Sequence, residues 1–131
     1  MTSLPTRTVG PFTVSAIGLG CMSLSHAYLP RPDAASAERL LRHALDAGVT
    51  FFDTAALYGF GANEELVGRA LGDRRGEFTL ASKCVLAEID GQRGLDGSPA
   101  AIARVLEDSL RRLRVDHIDL YYLHRLDPKV P

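Results

Sequence analysis

Tryptophan is absent from this sequence of 131 residues, and cysteine occurs only twice, at Cys21 and Cys84. Two cysteines outside any metal-ligand or redox spacing exclude a disulfide scaffold and favour a reducing compartment, with the cytoplasm as the default. An excess of one charge is also missing, because 15 basic residues stand against 16 acidic ones. Such a chain lacks the broad basic surface that binds nucleic acid or anionic membranes. We therefore expect a small-molecule partner and no nucleic acid.

Long hydrophobic runs are missing as well. Residues 1–9 contain no apolar segment of the kind found in signal peptides, and no later stretch approaches the roughly 20 apolar residues of a membrane span. We therefore expect neither secretion nor membrane insertion. The composition, with 46% hydrophobic and 24% charged residues, is that of an ordinary globular domain and excludes a disordered or fibrous chain.

Short apolar runs alternate with helical patterns along the whole chain. Helices are predicted after Asp33, Asn63 and Ser98, each of which is a favourable N-cap residue, and Gly48 is a natural end for the first helix. The remaining elements are strands near 15–19, 50–53, 78–83 and 117–124, and a β-hairpin over 7–14. This alternation predicts an α/β fold in which crossover helices connect the strands of a parallel sheet.

The connections that follow the strands, at 20–32, 54–62 and 84–97, are longer than those that precede them. In parallel α/β folds, ligands bind at the carboxyl ends of the strands, where such loops gather. We therefore expect the chemistry to lie after each strand. The glycine-rich stretch 89–97 is expected to be a mobile loop.

Polar residues stand at three successive strand ends, namely Asp53, Lys83 and His124, and Tyr58 follows in the second loop. Charges flanked by apolar residues are usually paired, which predicts a contact between Asp53 and Lys83. A phenol donates its proton sluggishly at neutral pH unless a nearby cation favours its anion, and Lys83 is such a cation for Tyr58. A nearby His124 would hydrogen-bond a substrate oxygen. The set can protonate an alkoxide as it forms on a carbonyl.

Each of these residues also has a structural interpretation. Asp53 would cap a loop, Lys83 would be a solvated charge, and His124 would be a satisfied structural histidine. Tyr58 would pack over Leu57. Their joint placement at successive strand ends favours a site.

Two other patterns carry no chemistry. Gly18 and Gly20 follow a predicted strand, but Ser23 stands where the dinucleotide fingerprint needs its third glycine, and no helix begins there. His26, His43 and His117 share no spacing with carboxylates or thiols, so we expect no metal site.

Four stretches identify a family. GVTFFDTAALYGFGANEELVG at 48–68 resembles the signature of the aldo-keto reductase family around its catalytic Asp and Tyr. ASK at 81–83 resembles the strand that bears the catalytic Lys, and DHIDLYYLH at 116–124 resembles the strand that ends in the catalytic His. GLGCMS at 18–23 resembles the family's first-strand motif beside the nicotinamide. The resemblance covers essentially the whole chain, and HRLDP after the last strand is similar to bacterial-type, broad-specificity reductases.

The resemblance implies an NADPH-dependent reductase of aldehydes or ketones that uses no metal. It implies that Tyr58 is the general acid, that Lys83 promotes its ionisation, that Asp53 pairs with Lys83, and that His124 orients the carbonyl. We refer to these four residues as the tetrad. Gly20 and Met22, together with Asp53, would lie by the nicotinamide.

The family fold is a (β/α)8 TIM barrel, which typically needs about 250 residues. This sequence contains an N-terminal β-hairpin and about four βα units, which we interpret as the N-terminal half of the barrel over residues 1–131. The family's segments for the adenosine 2′-phosphate and the pyrophosphate lie in the other half. We therefore expect these residues alone to bind the cofactor weakly or not at all. Four interpretations remain open: a truncated inactive fragment, part of a longer chain, self-association of two half-barrels, and a non-catalytic regulatory module.

Overall fold

The structure of the protein is a computed structural model that describes residues 4–131. Eight strands and three α-helices follow one another along the described part of the chain. They are β1 (Thr6–Val9), β2 (Phe12–Ser15), β3 (Leu19–Gly20), α1 (Ala34–Asp46), β4 (Phe51–Asp53), α2 (Ala62–Leu71), β5 (Thr79–Cys84), β6 (Leu86–Ile89), β7 (Gln92–Leu95), α3 (Pro99–Leu113) and β8 (Leu120–Leu123). Within the described residues, no helix is both long and apolar enough to cross a membrane.

The central sheet has the order β3-β4-β5-β8, and every pair in it is parallel. Strands that succeed one another through a crossover helix are therefore neighbours, which confirms the predicted α/β fold. Four adjacent parallel strands with helices between them correspond to four of the eight βα units of a TIM barrel.

The first strand differs from its predicted range of 15–19. Ser15 ends β2, where it pairs with Thr6, and the parallel strand β3 contains only Leu19–Gly20. Ser15 is held in the hairpin because its amide donates to Thr50 Oγ1 at 2.8 Å while Thr50 N donates to Ser15 Oγ at 2.9 Å. The apolar run therefore bends before it joins the sheet. The hairpin β1–β2 turns at Gly10-Pro11 and extends one residue beyond 7–14 at each end.

The helices begin at capping residues, with one exception to the predictions. Asp33 Oδ1 accepts from Ser36 N at 2.9 Å and caps α1, and Ser98 Oγ accepts from Ala101 N and caps α3. The prediction that Asn63 caps the second helix is wrong, because α2 already begins at Ala62. Asn63 is fully buried in the first turn instead.

The stretch 89–97, expected to be a mobile loop, is largely ordered as an antiparallel hairpin of β6 and β7. Its two-residue turn is Asp90-Gly91, and both residues have positive φ, at 51° and 79°. Asp-Gly is a favourable pair for such a turn, because it tolerates the left-handed backbone that matches the twist of the strands. The dipeptide signal was present in the sequence, but the surrounding glycines obscured it.

The core lies between the sheet and the three helices. Side chains from both layers are buried there, including Leu41, Phe52, Leu71, Leu80 and Leu113. The ring of Phe52 in β4 and that of Phe78, which directly precedes β5, meet edge to face at 5.3 Å between centroids. This geometry is favoured for aromatic pairs.

An ion pair fastens the amino ends of the strands. Arg75 Nη2 lies 2.6 Å from Asp119 Oδ2, and both side chains are largely buried, at 14% and 12% exposure. The same carboxylate oxygen accepts from the amide of Leu80 at 2.7 Å, and Arg75 also donates to the carbonyls of Phe78 and His117. We call this group the amino-end clamp.

Helices α2 and α3 approach each other closely. A Cβ atom on Gly68 would lie 2.4 Å from the carbonyl oxygen of Arg112, so only glycine fits there. Beside this crossing, the fully buried carboxylate of Glu64 accepts from Arg112 Nε at 2.7 Å and from Ser82 Oγ at 2.7 Å. One carboxylate thus connects α2 to α3 and to β5.

Candidate active site

The tetrad gathers at the carboxyl end of the sheet. Asp53 ends β4, Lys83 is the penultimate residue of β5, and His124 directly follows β8. Because the three strands are adjacent and parallel, their ends lie side by side. Tyr58 begins a short 3-10 segment, Tyr58–Gly61, in the loop after β4.

The ammonium group of Lys83 joins two members of the tetrad. Its Nζ donates to Asp53 Oδ1 at 2.5 Å, to the carbonyl of Thr54 at 2.8 Å, and to Tyr58 Oη at 3.2 Å. The side chain of Lys83 is only 13% exposed, so three oxygen partners compensate for the water that it has lost. The same cation lies 4.8 Å from the centroid of the Tyr58 ring.

The Tyr58 ring is enclosed by two imidazoles as well. His26 stacks on it with centroids 5.7 Å apart and an interplanar angle of 25°, whereas His124 meets it edge to face at 5.7 Å. Only 8% of Tyr58 is exposed. The phenol is therefore held by the loop after β3, by β5 and by the end of β8.

A left-handed turn directs Tyr58 into the site. Gly59, Phe60 and Gly61 follow it with φ angles of 59°, 52° and 96°, and α2 begins at the next residue. A non-glycine residue such as Phe60 adopts this backbone at a cost of roughly 1–2 kcal/mol. The turn reverses the chain directly after Tyr58, so the phenol faces the strand ends while the helix departs.

His124 lies at this edge in its neutral form. Burial lowers its pKa below the ordinary value for histidine, and the positive charges of Lys83 and Arg125 lower the pKa further. Its backbone amide donates to the Cys84 carbonyl at 3.0 Å, which holds the residue against β5. The buried Nδ1 has no hydrogen-bond partner among residues 4–131. Because Nδ1 is buried, a ligand in the site can meet the imidazole only through its other nitrogen, Nε2.

Asn63 is a residue of this region that sequence reasoning placed in a different role. Its Oδ1 accepts from Thr54 Oγ1 at 2.6 Å, and its Nδ2 donates to the Cys21 carbonyl at 2.8 Å and to Ser25 Oγ at 2.5 Å. These bonds tie the loop after β3 to the loop after β4. The only indication of this role in the sequence was that the helical pattern placed Asn63, a polar residue, close to buried positions.

The loop after β3 offers an open backbone surface beside Asp53. Gly20 pairs with Asp53 in the sheet, and no atom lies within 4 Å of the position that a Cβ on Gly20 would occupy. Met22 is half-buried at the start of the next turn. The strand end at Gly20 is therefore open on this side. Cys21 lies between them, but it is inert, because burial and the Asp53 charge raise the pKa of its thiol to about 12.

Among residues 4–131, His, Cys, Asp and Glu side chains do not gather in groups of three or more that could hold a metal ion. Asp53 and Tyr58 are instead joined through hydrogen bonds from the ammonium group of Lys83. The arrangement is suited to moving a proton and to stabilising a phenolate.

Comparison with known proteins agrees with this geometry. The profile of the Aldo/keto reductase family matches residues 16–131. The NADP(+) aldo-keto reductase yakc of Schizosaccharomyces pombe is 44% identical over 98% of this chain and 39% of its own length. The holo form of the aldo-keto reductase AKR11C1 from Bacillus halodurans superposes with a TM-score of 0.86 at 39% identity, over 98% of this chain and 42% of that one.

A third relative is the aldo/keto reductase from Klebsiella pneumoniae, solved in complex with NADP and acetate. It superposes with a TM-score of 0.70 at 34% identity, over 88% of this chain and 38% of its own. The chain thus spans about 40% of the length of the relatives it matches. The profile match, the identities and the shared fold together show that the chain belongs to the aldo/keto reductase family.

Proposed function

We propose that the tetrad performs the proton transfer in an NADPH-dependent reduction of aldehydes or ketones to alcohols, with Tyr58 as the general acid. The observation that carries the proposal is the position of Lys83, whose ammonium group bonds both Tyr58 Oη and Asp53 Oδ1. A cation beside a phenol stabilises the phenolate that forms when the proton leaves. Asp53 and the Thr54 carbonyl hold that cation in place.

The proposed reaction transfers a hydride and a proton to the carbonyl group. When bound, NADPH supplies the hydride that adds to the carbonyl carbon. Tyr58 Oη transfers its proton to the carbonyl oxygen, and the resulting phenolate is stabilised by Lys83 until solvent returns a proton. Neutral His124 orients the carbonyl oxygen by hydrogen bonding, which its lowered pKa favours at neutral pH. The products are an alcohol and the oxidised cofactor.

Gly20, Met22 and Asp53 are the proposed contacts of the nicotinamide end. Gly20 leaves the backbone open there, and Cys21 N donates to the Asp53 carbonyl at 2.8 Å, which fixes the loop against β4. The rest of the cofactor needs further protein, because the family's phosphate-binding segments lie outside these βα units. We propose that a C-terminal half or a second copy of the chain closes the barrel. The two free, buried cysteines fit a cytoplasmic location.

The test is the oxidation of NADPH by the purified protein with an aldehyde, at saturating cofactor and several protein concentrations. General acid catalysis contributes about 10²–10⁴-fold to rates, so Tyr58→Phe should lower the turnover number by that factor. Tyr28→Phe is the matched control, because Tyr28 is 66% exposed. Equal rates for Tyr58→Phe and the unaltered protein would contradict the proposed role of Tyr58. No oxidation of NADPH by a protein that contains both halves of the barrel would favour a non-catalytic module.

A further inference from the structure

We propose that His26 is a positioning residue for this reaction, which holds the phenol of Tyr58 in its productive orientation. The inference rests on the proposed function. His26 lies in the loop after β3, and two contacts connect it to the segment that carries Tyr58. The first is the stacking of the two rings, and the second is a hydrogen bond to the next residue, Gly59.

The stacking contact adds to the contacts that the tetrad makes with the Tyr58 ring. His124 approaches the ring edge to face, and Lys83 bonds the hydroxyl group. His26 adds a nearly parallel plane, with 25° between the rings and 5.7 Å between their centroids. Lys83 also lies 4.8 Å from the ring centroid, and the other ring of the tetrad, His124, is nearly perpendicular to the phenol. A nearly parallel imidazole against the phenol opposes rotation of the ring about the Cβ–Cγ bond.

The hydrogen bond fixes the chemical state of His26. Gly59 N donates to His26 Nδ1 at 3.1 Å. A backbone amide can only donate, so Nδ1 must be unprotonated and the ring proton lies on Nε2. The same bond ties the ring to the left-handed turn that directs Tyr58 into the site. His26 therefore holds both the phenol and the backbone next to it.

The loop that bears His26 is itself anchored. His26 N donates to the Met22 carbonyl at 2.9 Å, and buried Asn63 bonds both Cys21 and Ser25 in the same loop. The loop also packs tightly on the turn, because a Cβ on Gly59 would lie 3.0 Å from the Ser25 carbonyl oxygen. A side chain on such a loop can position another, since its own location is already determined.

Two substitutions separate the contacts. His26→Phe keeps a ring for stacking and removes the acceptor, whereas His26→Asn keeps an acceptor near the position of Nδ1 and removes the ring. His43→Asn is the control, because His43 is an exposed residue of α1. NMR spectroscopy of the isotopically labelled protein reads out both contacts without any requirement for activity.

In the unaltered protein we expect the neutral ring of His26 to carry its proton on Nε2, with Nδ1 accepting from Gly59 N. The amide proton of Gly59 should move in His26→Phe and stay nearly in place in His26→Asn, and the ring protons of Tyr58 should show the reverse pattern. A proton on Nδ1, or a Gly59 amide and Tyr58 ring that do not respond to either variant, would overturn the proposal.

Steady-state kinetics supply the second readout. Misplacing a reacting group by a fraction of an ångström lowers turnover more than binding, so both variants should lower kcat by roughly tenfold with little change in KM. If kcat is unchanged in both variants although the NMR shifts are as expected, the contact between His26 and Tyr58 does not affect turnover, and the proposal is wrong. An unaltered protein without NADPH-dependent activity contradicts the proposed function instead, and the NMR signatures then decide alone whether His26 holds Tyr58.

Discussion

The buried carboxylate of Glu64 offers a sharp test of what holds the helices to the sheet. Its oxygens have two side-chain partners, Arg112 Nε and Ser82 Oγ, both at 2.7 Å. Arg112→Met keeps most of the aliphatic volume of the arginine and removes its charge. The carboxylate then lies in the interior with one neutral partner, and an uncompensated buried charge costs about 3–5 kcal/mol. We expect the free energy of unfolding to fall by that amount.

The neighbouring residue is a matched control. Arg111 also pairs with an acidic residue, Asp108, but its side chain is 74% exposed. Exposed pairs contribute about 0–1 kcal/mol, so Arg111→Met should change stability little. Both variants remove the same charge from the same helix, one from a buried ion pair and the other from an exposed one.

The assay is equilibrium unfolding in urea followed by circular dichroism. With a slope of about 2 kcal/mol per molar urea, Arg112→Met should lower the midpoint by roughly 1.5–2.5 M. If this variant does not fold, the double variant Glu64→Gln/Arg112→Met restores the fold, because a neutral amide needs no counter-ion. Equal midpoints for Arg112→Met and Arg111→Met, or no recovery in the double variant, would refute the reasoning.

Three further predictions concern titration, reactivity and packing. Titration of the His124 ring protons by NMR should give a midpoint below the ordinary histidine value of about 6.5, because burial and nearby cations oppose protonation. The ring then becomes charged only under more acidic conditions, and a midpoint at or above 6.5 would contradict this prediction. Cys21 and Cys84 should resist iodoacetamide at pH 8 until urea unfolds the chain, because burial raises the pKa of both thiols. Gly68→Ala should destabilise the protein by about 1–3 kcal/mol through overpacking, whereas Gly76→Ala, with open space around it, should be nearly neutral in the same urea assay.

Much of the fold was predictable because the signals were local. Asp33 and Ser98 cap their helices through their own side chains, and a capping residue before an apolar stripe is visible in the sequence. The parallel order of the strands followed from the alternation of elements. The end of β2 was not predictable, because Ser15 stays in the hairpin through hydrogen bonds to Thr50, which is distant in sequence.

The candidate site shows the same division. The contact between Asp53 and Lys83 was predicted from the rule that charges among apolar residues pair, and the structure has it. His26 was considered only as a metal ligand and set aside, because its stacking on Tyr58 depends on a loop path that no periodicity encodes. Asn63 was expected at a helix cap, but it serves as a buried link between two loops. Contacts between loops depend on the path of the chain in three dimensions, so a local sequence pattern does not predict them.

Two ion pairs lie near opposite ends of β5, and mutations in them should have different consequences. The amino-end clamp of Arg75 and Asp119 lies at one end of the strand, and Lys83 with its partner Asp53 lies at the other. Substitutions in the clamp act on the fraction of molecules that are folded, so they would change the amount of protein that a cell retains. Substitutions of Lys83 or Asp53 would alter the folded fraction as well, because this pair is also largely buried, and they would in addition remove groups of the proposed proton transfer. Variants at the amino end of the strand should therefore change abundance alone, whereas variants at its carboxyl end should change abundance and chemistry together.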